Sequence, residues 1–152
     1  MARLGFTTKA RFNDWRGDFE LARRLGCDLD VVVVSLDGLD RIQVAYGRAE
    51  RRLVVIEAAE IVRNICADVE LAGRIDEERL AVAALGSASA SLRIVRQLRA
   101  AFRELAVKRG GRYRPEVIFG SASLRESGVQ HWEDLLLAAE SARTGAALTV
   151  VA

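Results

Sequence analysis

Between residues 72 and 85 the sequence reads AGRIDEERLAVAAL, two short apolar segments joined by a knot of charge. Asp76, Glu77 and Glu78 stand in a row with Arg79 behind them and no glycine among them, an uncommon filling for a turn between two strands. Adjacent carboxylates have three readings. They can ligate a hard divalent cation, which takes oxygen donors. They can be the solvated charges of an ordinary hairpin tip. Or they can be what is left of a site whose other members have changed. The rest of the chain offers little competing chemistry. His131 is the only histidine, so a Ser-His-Asp set or a paired-histidine mechanism has little to draw on, and it reads as surface or core filler. Cys27 and Cys66 have no C-x-x-C spacing and read as small buried thiols of a reducing compartment, not as zinc ligands.

The elements that must position the acidic turn follow from hydrophobic spacing. Over residues 8–25, Phe12, Trp15, Phe19, Leu21 and Ala22 recur at mostly helical intervals and Gly26 stops the helix. Residues 29–36, centred on VVVV, are apolar and β-branched without alternation, which predicts a strand covered on both faces. A short helical turn ends near Gly47. A second amphipathic helix over 49–66 has Leu53, Ile56, Ala59, Val62 and Cys66 as its apolar line. Residues 69–75 and 80–85 are the paired strands flanking the acidic tip. Ser89 or Ser91 is a candidate cap for the next helix, whose stripe is Leu92, Val95, Leu98, Phe102 and Leu105, and which ends at Gly110 and Gly111. A strand over 115–122, a helix over 132–142 and a β-branched segment over 147–151 complete the order α-β-α-β-β-α-β-α-β. Alternating helices and strands interrupted by one direct hairpin predict an α+β fold. Its core is expected to be a ferredoxin-type βαββαβ unit, a mixed central sheet of about five strands surrounded by helices.

Composition narrows the function classes. With 152 residues, 51% of them hydrophobic, the chain has enough apolar material for one domain with a full core. The 23 basic residues nearly balance the 21 acidic ones, so a net charge of +2 leaves no footprint for DNA or RNA. The longest apolar run, residues 80–85, is too short for a bilayer and the N-terminus has no signal-peptide core, which predicts a cytoplasmic protein with no membrane segment in this chain. Trp15 and Trp132 are either core residues or interface anchors, with core the heavier expectation.

The stretch from Val31 to Val62 together with AGRIDEERLAV resembles a GGDEF domain, the diguanylate cyclase family that condenses two GTP molecules into cyclic di-GMP. The resemblance spans nearly the whole chain. The family pattern D-x-D-x-F-K-x-I-N-D-x-Y-G-H-x-x-G-D falls on SLDGLDRIQVAYGRAERR, residues 35–52, keeping Asp37, Ile42, Tyr46 and Gly47. RLGFTTKARF near the start resembles the family's approach to its first helix, and EVIFGSASL resembles its V-S-I-G-x-A strand. The family's GGDEF tip falls on Asp76, Glu77, Glu78, Arg79 and Leu80, with Arg74 in the place of the arginine before it.

What the resemblance implies is a retained framework around a lost site. Of the two metal-binding acids, the strand position is Ser35, a neutral hydroxyl, and only Glu78 keeps a carboxylate. Asp37, on the same side of an extended strand as Ser35, is the one candidate to replace it. The two tip glycines, which let backbone N–H groups approach a triphosphate, are Asp76 and Glu77, whose charge repels phosphate by ~4 kcal/mol at about 4 Å and an effective dielectric near 20. The guanine-recognising positions are Gln43 and Arg52, and the phosphate-contacting lysine is Asp40. The inhibitory product site R-x-x-D falls on residues 67–70, Ala-Asp-Val-Glu, and is absent. The C-terminal lysine aligns with Arg143 or Ala147. Ser35, Asp37, Asp76, Glu77 and Glu78 are therefore vestigial catalytic positions, and Asp40, Gln43 and Arg52 vestigial nucleotide positions. The expectation is a non-catalytic domain of bacterial cyclic di-GMP-related signalling, a single unit over 1–152 cut from a larger protein, with no cofactor. Its expected partners are other signalling domains or proteins, with a homodimer among them, and no nucleic acid. The alternative is a metal-dependent nucleotide site rebuilt from Asp37, Glu77 and Glu78, which alone calls for Mg²⁺.

Overall fold

The computed structural model describes residues 12–66, 71–85, 89–108 and 116–142. Its centre is strand β1 (Leu29–Asp37), buried along its length except for the last residue. Four successive valines, Val31 to Val34, present stiff apolar side chains to both faces, so the strand is stable only where both are covered. The sheet gives it that position. β3 (Arg79–Leu85) pairs with one edge of β1, β4 (Glu116–Ser123) with the other, and β2 (Leu71–Arg74) pairs with β3, giving the order β2-β3-β1-β4.

Among the described residues all three pairings are antiparallel, where a mixed sheet of about five strands is expected from the sequence. The reason lies in the connections. The helical crossover after β1 skips one sheet position, and the hairpin strand β3 turns back to fill it, so β1 and β2 run the same way without touching. This is the split arrangement of the ferredoxin-like core. The fifth strand expected over 147–151 lies outside the described residues.

Alternation along β1 divides the core in two. Val32, Val34 and Leu36 face a layer made by α2 (Leu39–Tyr46), α3 (Arg48–Ile65) and α4 (Ser89–Lys108), which buries Leu39, Ile42, Val54, Val55, Ala58, Val62, Ile94, Leu98 and Phe102. Val31 and Val33 face the other layer, where α1 (Phe12–Leu25) supplies Phe19 and Ala22 and α6 (Trp132–Ser141) supplies Trp132, Leu135 and Ala139. The short α5 (Leu124–Ser127) joins β4 to that layer. Trp132 is thus a core residue, the heavier of its two expectations.

Several residue-level expectations need correction. On α3 the buried line is Val54, Val55, Ala58, Ala59 and Val62, while Leu53 and Ile56 are exposed. Of the line that spacing selects, Ala59, Val62 and Cys66 are buried, but its first two members fall on the exposed one of two overlapping stripes. On α4 the buried line is Ile94, Leu98, Phe102 and Ala106, with Leu92 exposed. That helix begins at Ser89 itself, so a cap preceding it would fall in residues 86–88, outside the described residues. Cys66 is buried as expected, and burial pushes its thiol up to about 11. Cys27 is exposed, because it sits in the turn between α1 and β1 and not on an apolar face. Among the described residues no helix is long and apolar enough to cross a membrane.

Candidate functional site

The acidic turn is the tip of the β2–β3 hairpin, and it closes without glycine because Asp76 supplies the acceptors. Its Oδ1 accepts from the backbone N–H of Glu78 and of Arg79, both at 2.9 Å, and the Ile75 N–H donates to the Arg79 carbonyl at 2.9 Å. An Asx-type side chain thereby does what a positive-φ glycine does in other hairpins. The tip is tied to the central strand through the Leu36 N–H, which donates to the Glu78 carbonyl at 2.7 Å.

Facing the tip across the end of the sheet are the first turns of α2 and α3. Gly38 makes the passage from β1 to α2 at φ +88°, in the left-handed region, and a Cβ there would lie 2.8 Å from a guanidinium nitrogen of Arg41. Asp37 Oδ1 accepts from the Gly38 N–H at 3.0 Å, so the carboxylate braces this turn. α2 ends at Gly47 with φ 97°, and α3 starts immediately after it, which brings Arg51 back toward Asp40 and Gln43 one helix earlier.

Arg51 is the hub of the arrangement. Its Nη1 donates to Asp40 Oδ1 at 2.6 Å and to Gln43 Oε1 at 3.2 Å, its Nε donates to Glu77 Oε1 at 2.7 Å, and its Nη2 lies 3.8 Å from Glu78 Oε1. Only 15% of the arginine side chain is exposed, against 88% for Asp40 and 54% for Glu77, so the cation sits beneath a lid of carboxylates. Hydrogen bonding to Glu77 and then to Asp40 outweighs the cost of burial and pushes the guanidinium pKa up. One rigid fork therefore joins α2, α3 and the hairpin tip.

A second arginine holds the tip from the opposite layer. Arg79 donates through Nε and Nη2 to Asp76 Oδ2, at 3.0 and 2.7 Å, and through Nη1 to Glu140 Oε1 of α6 at 2.5 Å. Its register partner on β1 is Ser35, which is buried. Burial pushes the Asp76 carboxyl up, but hydrogen bonds from the Arg79 side chain and from the Glu78 and Arg79 backbone outweigh it and hold it below its ordinary 3.8. A carboxyl depressed by folding adds stability that is complete above its unfolded pKa and disappears as pH falls through the folded value. The Asp76 carboxyl is therefore expected to contribute its full stabilisation from neutrality to about pH 5 and to lose it below about pH 4. Asp76→Asn is expected to flatten that acid limb by up to about 1 kcal/mol, because the side chain is half exposed. Urea denaturation of both proteins at pH 7 and pH 3 checks this, and an identical acid limb in the variant contradicts it.

Of the positions singled out in the sequence, the structure thus gathers Asp40, Gln43, Glu77 and Glu78 around one arginine. Asp76 turns to Arg79. Asp37 is exposed and braces Gly38, and Arg52 is exposed on α3. Among the described residues no group of three or more acidic, histidine or cysteine side chains is gathered closely enough to hold a metal ion. Residues 67–70, Arg143 and Ala147 lie outside the described residues. Sequence reasoning missed Arg51, Arg79 as a clasp, and Glu140. The signal available was charge reversal: Asp40 beside two new tip acids requires a cation within reach, and Arg51 is the arginine that one helical turn after Gly47 provides.

Comparison with solved structures assigns the architecture. The GGDEF domain of TpbB (YfiN) from Pseudomonas aeruginosa superposes with a TM-score of 0.75 at 20% identity, covering 92% of this chain and 84% of that one. The fold is that of a GGDEF domain. The active GGEEF domain of a diguanylate cyclase from Vibrio cholerae matches with a TM-score of 0.76 at 17% identity, over 90% of this chain and 87% of that one. The FimX GGDEF domain from Pseudomonas aeruginosa matches at 0.75 and 13% identity, over 92% and 88%. No family model matches the sequence, and no curated protein matches it. In this GGDEF fold the hairpin tip, the β1 end and the start of α2 meet at one corner of the sheet, and there the chain places its arginine-centred network.

Proposed function

We propose that this domain is a module of cyclic di-GMP-related signalling that performs no cyclisation of GTP and acts through protein interaction or signal relay. The single observation that carries the reading is the Arg51 network. The guanidinium and its carboxylates occupy the corner between α2 and the hairpin tip, with Glu77 and Asp40 hydrogen-bonded to Arg51 and Glu78 3.8 Å from it.

A nucleoside triphosphate with its divalent cations does not fit these residues. Hard cations need converging carboxylates, and here Glu77 is hydrogen-bonded to Arg51, Glu78 lies 3.8 Å from the same guanidinium, and Ser35 is neutral and buried. A triphosphate needs bare backbone N–H groups, and at the tip those of Glu78 and Arg79 are already taken by Asp76. Bringing phosphate to this corner would set it against Asp40 and Glu77 and would leave any displaced acid without its cation. Interaction has a precedent in the fold. The diguanylate cyclase SiaD from Pseudomonas aeruginosa is solved in complex with its activator SiaC, and it matches 92% of this chain at 16% identity with a TM-score of 0.76, this chain spanning 55% of that one.

The test is direct. Purified protein incubated with GTP and Mg²⁺ or Mn²⁺ is expected to yield no cyclic di-GMP by chromatography, and calorimetry with GTP in the same buffers is expected to show no heat of binding. Formation of cyclic di-GMP overturns the reading.

A further inference from the structure

Arg51 and Arg79, the two arginines that hold the hairpin tip, are paired; those on the outer face of α4 have no ion pair among the described residues. Helix α4 carries Arg93, Arg96, Arg99, Arg103 and Lys108 against a single acid, Glu104. Its apolar line, Ile94, Leu98, Phe102 and Ala106, is spent on the sheet, and Arg99 is drawn to the edge of that buried side with its guanidinium 5.6 Å from the Phe119 ring centre. Arg93, Arg96 and Arg103 are left exposed on the opposite side, and among the described residues no ion pair reaches any of them. At 100° per residue the three fall within about a quarter of the helix circumference, and Arg96 and Arg103 stand seven residues apart, or about 10 Å. Leu92, 54% exposed, and Val107, 72% exposed, lie on the same face near its two ends.

We propose that this face of α4 docks an acidic helix of a partner protein, with Arg93, Arg96 and Arg103 pairing its carboxylates and Leu92 and Val107 closing the ends of the contact. Charge complementarity defines the occupant. Arginine forks pair carboxylates bidentately, and arginine with flanking apolar groups is the composition of protein interfaces. Carboxylates two turns apart on a helix lying nearly parallel to α4 match the Arg96 to Arg103 spacing. A lipid surface fits less well, because the helix's apolar side is already packed and cannot insert. Nucleic acid fits less well because the chain's net charge is only +2.

The proposal takes from the preceding section only that the domain works through a protein, and its test does not depend on a cyclase assay. The probe is a fluorescent alanine-based helical peptide with glutamates at the spacing of the three arginines and leucines at its ends, compared with a scrambled peptide of the same composition. Anisotropy at low salt is expected to show at least about tenfold tighter binding of the matched peptide, lost when salt shortens the screening length. The pair Arg96→Glu and Arg103→Glu is expected to abolish the preference, whereas Arg48→Glu with Arg52→Glu, which changes net charge equally on exposed α3 positions, leaves it intact. Circular dichroism confirms that each variant is folded. Equal binding of both peptides, or equal loss in the control pair, overturns the proposal, as does tighter binding to phosphatidylserine vesicles or duplex DNA than to the matched peptide.

Discussion

Replacing Arg51 with alanine is expected to lower the unfolding free energy by about 1–2 kcal/mol, and replacing it with glutamate by about 2–4 kcal/mol. Each charge-assisted hydrogen bond is strong where it is dry, and the arginine end of this network is only 15% exposed. The carboxylate ends are wetter, 88% exposed for Asp40 and 54% for Glu77, which holds the alanine figure near the low end of what two such bonds contribute. Glutamate does worse because it adds a fourth anion to a corner already holding Asp40, Glu77 and Glu78. The loss in the glutamate variant should shrink at about 0.5 M salt, and a cycle with Glu77→Ala should show positive coupling between the two residues. Urea denaturation of the parent, the two Arg51 variants, Glu77→Ala and the double variant, five proteins at two salt concentrations, measures all of this. An alanine variant within about 0.3 kcal/mol of the parent would show that the network contributes nothing. The alanine variant is also expected not to gain GTP binding, because Ser35 and the anionic tip remain.

That network bears on what the sequence makes legible. The positions that depart from the GGDEF pattern are visible one by one: Ser35, Asp40, Gln43, Arg52 and the tip acids. Their new arrangement is not, because it depends on which cation reaches them. Arg51 and Arg52 are neighbours of the same type, and only the rotation of α3 about its axis turns the first toward the tip and the second to solvent. That rotation is set by Val54, Val55, Ala58 and Val62 packing on the sheet. Spacing alone puts Leu53 and Ile56 on the buried side, whereas Arg52 is marked only by its place in the GGDEF pattern and Arg51 by neither signal.

The central elements were easier to read because their signals do not compete. Val31 to Val34 leave no plausible exposed face, and no helix could bury four adjacent valines so completely. The hairpin is bounded by charge on one side and apolar runs on both flanks. Antiparallel pairing of the four described strands is less visible, since it follows from the sheet position that the crossover skips and not from any local residue. The exposure of Cys27 likewise depends on where the α1 to β1 turn meets solvent.

The largest loss of stability is expected at Phe119. Its ring is 2% exposed in the middle of β4, register-paired with Val34, and it meets the Phe102 ring edge-on at 6.5 Å between centroids. Truncation to alanine empties that space between β4 and α4, and β4 cannot collapse into it without breaking its register with β1. A loss of about 3–5 kcal/mol is expected. Part of it has a second origin. The Arg99 guanidinium lies over the same ring, and its Nε is buried with no hydrogen-bond partner, so the aromatic face is the favourable contact that remains for this end of the side chain. Phe119→Leu keeps most of the volume but removes that face, and in an Arg99→Met background it should cost about 0.5–1 kcal/mol less than in the parent. Equal costs in the two backgrounds would assign the whole effect to packing. A Phe119→Ala loss below about 1 kcal/mol would mean that β4 and α4 can close over the gap, and that the layer holding the outer face of α4 in place is softer than its buried side chains imply.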